Sequence, residues 1–301
     1  MGMPTESRSA PLKLAIGMAI SGTVGAFGVE TGLDPITIVF WRCVFGSAFM
    51  LIWCLAFRHL PDRSLSWRKL ALSAVAGSSL VLSWAAFFAG ISMTSIATAT
   101  IVIHFQPFFV VLIGAIFLKE RLTRDQMLWV VAAFIGLVFA SGIGRSSGAI
   151  DHGWMLGVGI TMLGALCYAI TAVVGKRLGT QRSEVTALCQ TVMGIVIFAP
   201  FVQLNQSIPS ASWAWLLGIG VIHSGIAWVI IYSAYPKVST PVIAVLAFVY
   251  PVVAIFIDWA IYGHTLGLMQ ASGMILIAIA TLGVRLGWRI GGGERSRQVR
   301  T

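Results

Sequence analysis

Two histidines, two tryptophans and two prolines are the residues of this chain whose types and placement could do chemistry. His104 lies nine residues into one apolar run and His223 ten residues into another. At 1.5 Å of rise per helical residue they sit roughly 13 and 15 Å from the same membrane face. That is near the middle of a hydrocarbon core about 30 Å thick. An imidazole at that depth can hydrogen-bond a carboxylate or an amine, or exchange a proton near neutral pH. Ionisable groups inside a span are costly and mark a functional site by default; the alternative is a hydrogen bond to a neighbouring helix. Trp84 and Trp228 are the paired aromatics, with Ser83 beside the first. They are expected to wall a cavity from opposite sides, as parts of an outer and an inner gate. Pro107 and Pro251 each delete a backbone hydrogen bond and free a carbonyl on their N-terminal side. In membranes such breaks line sites or permit bending, which puts His104, Gln106 and Tyr250 on the cavity face. Tyr168 adds a hydroxyl from another span.

Arg42 and Asp258 are the only fixed charges well inside apolar runs. They lie about one and a half turns and one turn below the same face, so they are expected to pair, as a structural ion pair or an outer gate. Glu120 is expected to tie down a loop through Lys119 or Arg121. Cys43, Cys54, Cys167 and Cys189 all fall inside apolar runs, at spacings that fit no zinc, haem or redox motif. No metal site and no cofactor is expected. The chain has no Walker A motif, no HExxH and no GxSxG, which speaks against direct ATP use and against the commonest hydrolases. It has no TVGYG-like filter and no arginine-rich span.

The elements that must position these residues follow from composition. Apolar residues make up 58% of the chain and charged ones 10%, against about 25% charged in a soluble domain. Ten apolar runs of membrane-spanning length stand at about 12–29, 36–57, 68–91, 95–118, 123–143, 154–175, 184–203, 213–235, 239–262 and 267–287. Backbone groups in lipid must bond internally, so such runs are helices, and they are too uniformly apolar for barrel strands. The expected fold is an all-α integral membrane protein. With the N-terminus in the cytoplasm, eighteen Lys and Arg fall on the cytoplasmic side, and only Arg145 falls outside. The tails, 1–11 and 288–301, are therefore expected to be cytoplasmic. The net charge of +10 is spread over short loops beside spans, a membrane pattern that implies no nucleic acid.

Shifting the chain by 144 positions superposes Trp84 on Trp228, Pro107 on Pro251, Ser95 on Ser239 and Gln126 on Gln270. The first repeat covers 12–143 and the second 154–287. Five spans per repeat is an odd number, so the second copy is inverted, an arrangement many carriers use to build a midplane site. Gly17, Ser21 and Gly25, with their counterparts Thr161, Ala165 and Ala169, form four-spaced small-residue stripes expected to let helices approach closely.

The segment TSIATATIVIHFQPFFVVLIGAIFLKERLT, with Pro107 in mid-helix, Lys119-Glu120-Arg121-Leu122 and later Gly136, resembles the EamA-type drug/metabolite transporter superfamily. So do the second copy, STPVIAVLAFVYPVVAIFIDWAIYGHTLGLMQASG, the stretch GWMLGVGITMLGALCYAITAVVGKRL, and Arg42 within VFWRCVFG. One departure stands at His264, where the family usually repeats its glutamate. The resemblance implies a ten-helix carrier with a central cavity lined by helices 1, 3, 4, 6, 8 and 9, and it points towards bacterial amino-acid exporters.

Together these readings give a secondary transporter that moves small metabolites across the inner (plasma) membrane by alternating access. Amino acids, including aromatic and other apolar ones, are the expected substrates, with export favoured. Phosphorylated sugars would call for Lys or Arg near the midplane, where none is expected. The alternatives are an exporter of lipophilic drugs or cations, a channel, or an intramembrane enzyme. His104, His223, His264 and Asp258 are candidates for coupling to protons, which a uniporter does not need. The expected partners are a small-molecule substrate and the lipid bilayer, with the chain a monomer or weak homodimer.

Overall fold

The structure is a computed structural model, and it describes residues 9–60, 66–94, 99, 102–119, 123–140, 152–179, 181–205, 207–262 and 267–289. Every regular element among them is helical. In chain order these are α1 (Ala10–Gly22, resuming as Val24–Thr31), α2 (Pro35–Ala56), α3 (Trp67–Met93), α4 (Gln106–Leu118) and α5 (Arg124–Ala140). There follow α6 (His152–Arg177), α7 (Ser183–Phe198) and α8 (Ser210–Gly218, a π-helical stretch Ile219–Ile226, then Ala227–Ala234). The last two are α9 (Thr240–Leu246, resuming as Val249–Tyr262) and α10 (Leu268–Leu286). Six of the helical runs are long and apolar enough to cross a membrane, and three shorter ones are apolar. The chain is a multi-pass membrane protein.

Helix starts follow local chemistry. Asp34 accepts a hydrogen bond from the Thr37 amide at 3.0 Å, with Pro35 opening α2. Thr123 and Gln126 exchange side-chain and backbone bonds at 3.1 and 3.2 Å, a capping box at the start of α5. Gly32 ends α1 with φ +63°, a conformation that favours glycine.

Between helices, small residues set the packing distance, because lipid gives no hydrophobic drive for helices to associate. A Cβ at Gly17 would sit 2.6 Å from Ile231, so α1 and α8 touch there. Gly90 and Gly164 meet Thr161 and Ala86, joining α3 to α6, and a Cβ at Gly273 would strike the backbone of Gly136 and Ala140, joining α10 to α5.

The relation between the repeats is visible at α2 and α7. Gly194 lies against Cys43 and Gly46 against Thr191, so these equivalent helices run antiparallel. The Ser47 hydroxyl donates to Thr191 at 2.8 Å, a bond between residues 144 positions apart. A residue that touches its own counterpart lies on the pseudo-two-fold axis.

One end of the bundle gathers charged residues. Lys176 donates to Thr240, Arg177 to the Phe117 carbonyl, and Gln181 bonds Ser73. At the other end Ser212 donates to the Thr31 carbonyl.

Candidate substrate cavity

Breaks in helix regularity converge on one place. α1 is interrupted at Thr23, whose hydroxyl donates to the Ile20 carbonyl at 2.8 Å and lies 2.8 Å from His223 Nε2. His223 belongs to the π-helical stretch of α8, a feature frequent at functional sites. His104 and Phe105 form a turn just before α4, and Ala247 and Phe248 interrupt α9. Pro107 and Pro251 follow these two breaks within the next helical turn. Irregular backbone at membrane depth is tolerated where protein or a cavity meets it.

The cavity between these breaks holds about 740 Å³ of empty space, part of it open to the outside. From the first repeat it is lined by Ser83, Trp84, His104 and Gln106, and from the second by Tyr168, His223, Trp228 and Tyr250. All eight were singled out from the sequence. Pro107 is buried behind the cavity wall and Pro251 sits in the first turn of the resumed α9.

Counterparts meet inside the cavity as they do at α2 and α7. The Trp84 and Trp228 rings are 6.3 Å apart at 60°. His104 and Phe248, also 144 positions apart, are 6.3 Å apart. The tryptophans are therefore neighbours at the axis and do not wall the cavity from opposite sides. The expected gate pair is one aromatic patch.

The depth estimate left no arginine near the midplane, yet Arg42 lines the cavity. Its guanidinium carbon lies 3.6 Å from the Trp84 ring centroid, and its Nε donates to Ser224 at 2.9 Å. Estimates made at the Cα overlook how far a long side chain reaches. The Asp258 side chain, with Glu120 and His264, lies outside the described residues. The small-residue stripe splits: Gly17, Ala165 and Ala169 are buried contacts, whereas Ser21 lines the cavity and a Cβ at Gly25 would meet nothing within 4 Å.

Sequence reasoning missed Met18, Val24, Phe87, Phe88 and Ile103, which also line the cavity; as apolar residues in apolar spans they carried no signal. It also missed Tyr232 and Tyr235, which close the cavity towards the charged end. Trp228 packs against Tyr232 at 5.3 Å with the rings tilted by 45°, and Tyr232 meets Tyr235 edge-on at 5.9 Å. The Tyr168 and Tyr235 hydroxyls are 3.4 Å apart. A Cβ at Gly175 would lie 2.9 Å from Tyr235 and 3.0 Å from Tyr232, so only glycine lets α6 seat on these rings. Beyond this layer lies a second hollow, lined by Tyr232 with Gln181, Arg182 and Lys237.

The EamA-like transporter family matches the chain twice, over residues 12–142 and 155–286. The chain is 29% identical to the uncharacterized transporter YxxF of Bacillus subtilis (strain 168), over 90% of this chain and 88% of that one. It is 25% identical to the pseudopaline exporter CntI of Pseudomonas aeruginosa (strain UCBPP-PA14), over 83% and 86%. It is 23% identical to the threonine/homoserine exporter RhtA of Salmonella typhimurium (strain SL1344), over 54% and 55%. A crystal structure of a protein with 19% identity superposes with a TM-score of 0.81 over 94% of this chain and 99% of that one, a likeness of fold.

Proposed function

We propose a substrate class and a direction for this chain, which belongs to the EamA-like transporter family and is a transporter, not an enzyme. It carries amino acids, aromatic and other apolar ones among them, out of the cell across the inner membrane by alternating access. The observation that supports this best is the cavity built by both repeats around the Trp84–Trp228 contact. Large rings bury much area at low conformational cost, and imidazoles and hydroxyls supply a few convergent polar groups. Among the described lining residues there is no carboxylate, which counts against lipophilic cations. The exporters RhtA and CntI among the relatives favour export.

Ten spans in two inverted sets of five fit the antiparallel meeting of α2 with α7. With the basic end in the cytoplasm, the cavity opens outward and the tyrosine layer closes it inward. His104 and His223 are the described groups best placed to couple transport to protons.

Purified protein in proteoliposomes, given a panel of radiolabelled amino acids with and without a pH gradient, tests the proposal. Saturable uptake of phenylalanine or leucine with counterflow is expected, reduced at least tenfold in Trp84→Ala and Trp228→Ala. Absence of flux for every amino acid would remove the substrate class, and flux that never saturates would replace a carrier by a pore.

A further inference from the structure

Arg42 is 4% exposed and stands in the cavity wall. A guanidinium carries five N–H donors in a planar fork. Ser224 takes the one on Nε, and Trp84 covers one face of the plane. Among the described residues no carboxylate faces it. The edge carrying the two terminal nitrogens is the one that grips a carboxylate with two parallel bonds. A buried cation held this way, with no anion of its own among the described residues, is costly, and an anion that enters the cavity relieves that cost.

We propose that Arg42 is the anchor for a substrate carboxylate, and that the amino group is dispensable for recognition. This rests on the reading of the cavity as a substrate site. The ligand class is a monocarboxylate with an apolar or aromatic tail. The carboxylate meets the Arg42 fork, and the tail lies on Trp228, Phe87 and Phe88, which line the same cavity. α-Amino acids belong to that class, as do 2-oxo acids and arylalkanoates of the same size. An ammonium group finds hydroxyls and imidazoles here but no opposite charge among the described lining residues. Amines without a carboxylate are therefore excluded. Ser224 is a positioning residue: it fixes the guanidinium plane against Trp84 so that the terminal nitrogens face the cavity.

Binding to purified protein, followed through tryptophan fluorescence, is the test, since two tryptophans line the cavity. The probes are phenylalanine, 3-phenylpropionate and 2-phenylethylamine. Wild-type protein is expected to bind the two carboxylates with affinities within about fivefold of each other and the amine at least tenfold more weakly. Arg42→Gln is expected to lose at least tenfold for both carboxylates, and Ser224→Ala two- to fivefold. The three-ligand comparison on wild-type protein does not depend on any variant folding. Amine binding equal to that of phenylalanine would overturn the anchor. So would phenylalanine binding unchanged by Arg42→Gln; amino-acid flux that persists in that variant would leave the transport reading standing. Failure of all three probes to bind, with no amino-acid flux in proteoliposomes, would overturn the anchor and the transport reading together.

Discussion

The two ends of the bundle are built from equivalent residues and are packed differently. At the charged end Tyr168, Tyr232 and Tyr235 close over the cavity, and Ala169 and Ala172 are completely buried. Their counterparts 144 positions earlier are Val24, Phe88, Ile91, Gly25 and Gly28. At that end Val24 and Phe88 line the cavity, and a Cβ on Gly25 or Gly28 would meet nothing within 4 Å. One frame therefore carries two arrangements at once. α6 and α8 are shut against each other, while the same halves of α1 and α3 stand apart. The difference shows what the other state requires: Val24, Phe88 and Ile91 would meet as the tyrosines meet here. The two seals would also differ in kind. One is held by rings and hydroxyls, the other by apolar contact alone.

A side chain added at each end should act most strongly. Gly17→Leu would force a side chain onto Ile231, where the Cβ alone comes to 2.6 Å. It should lower stability by about 1–3 kcal/mol, seen as a clear fall in Tm in detergent. Gly25→Leu enters open space, so Tm should stay within a few degrees while transport falls at least tenfold, because the open end could no longer shut. Equal losses of Tm in both variants would erase the contrast between the ends.

The smaller test concerns the seal. Tyr168→Phe removes the hydroxyl 3.4 Å from that of Tyr235, a loss of about 0.5–1.5 kcal/mol from the closed end only. Cys189, a half-buried free thiol on α7, should then react faster with a membrane-impermeant thiol reagent from the charged side, by a few-fold. Val24→Ala, its mirror at the open end, should leave that rate unchanged. Ser47→Ala should disturb the contrast between the ends least. It removes the axis bond to Thr191 at a cost of about 1 kcal/mol, while the two ends keep their difference.

Much of the site was legible in the sequence, for identifiable reasons. His104 and His223, put at a similar depth by helix rise and core thickness, both line the cavity. The tryptophans could be paired because the repeat needs no gap. The Ser47–Thr191 bond carries the same signal, as two hydroxyls 144 positions apart. The π-helical stretch was not available. Gly220 there lies against Phe45 and the Arg42 carbonyl of α2, a tertiary contact that no local spacing announces. Nor could the sequence say which end is shut, because two equivalent repeats support both arrangements with the same residues.

In a working transporter the two ends exchange. Spin labels on Leu33 and Met93 at the open end, and on their counterparts Arg177 and Lys237 at the closed end, would report it as distances in lipid. With phenylalanine added, two populations are expected in each sample. The open-end distance should shorten in the same fraction of molecules in which the closed-end distance lengthens. Distances that do not change, or both ends open in the same molecules, would contradict it.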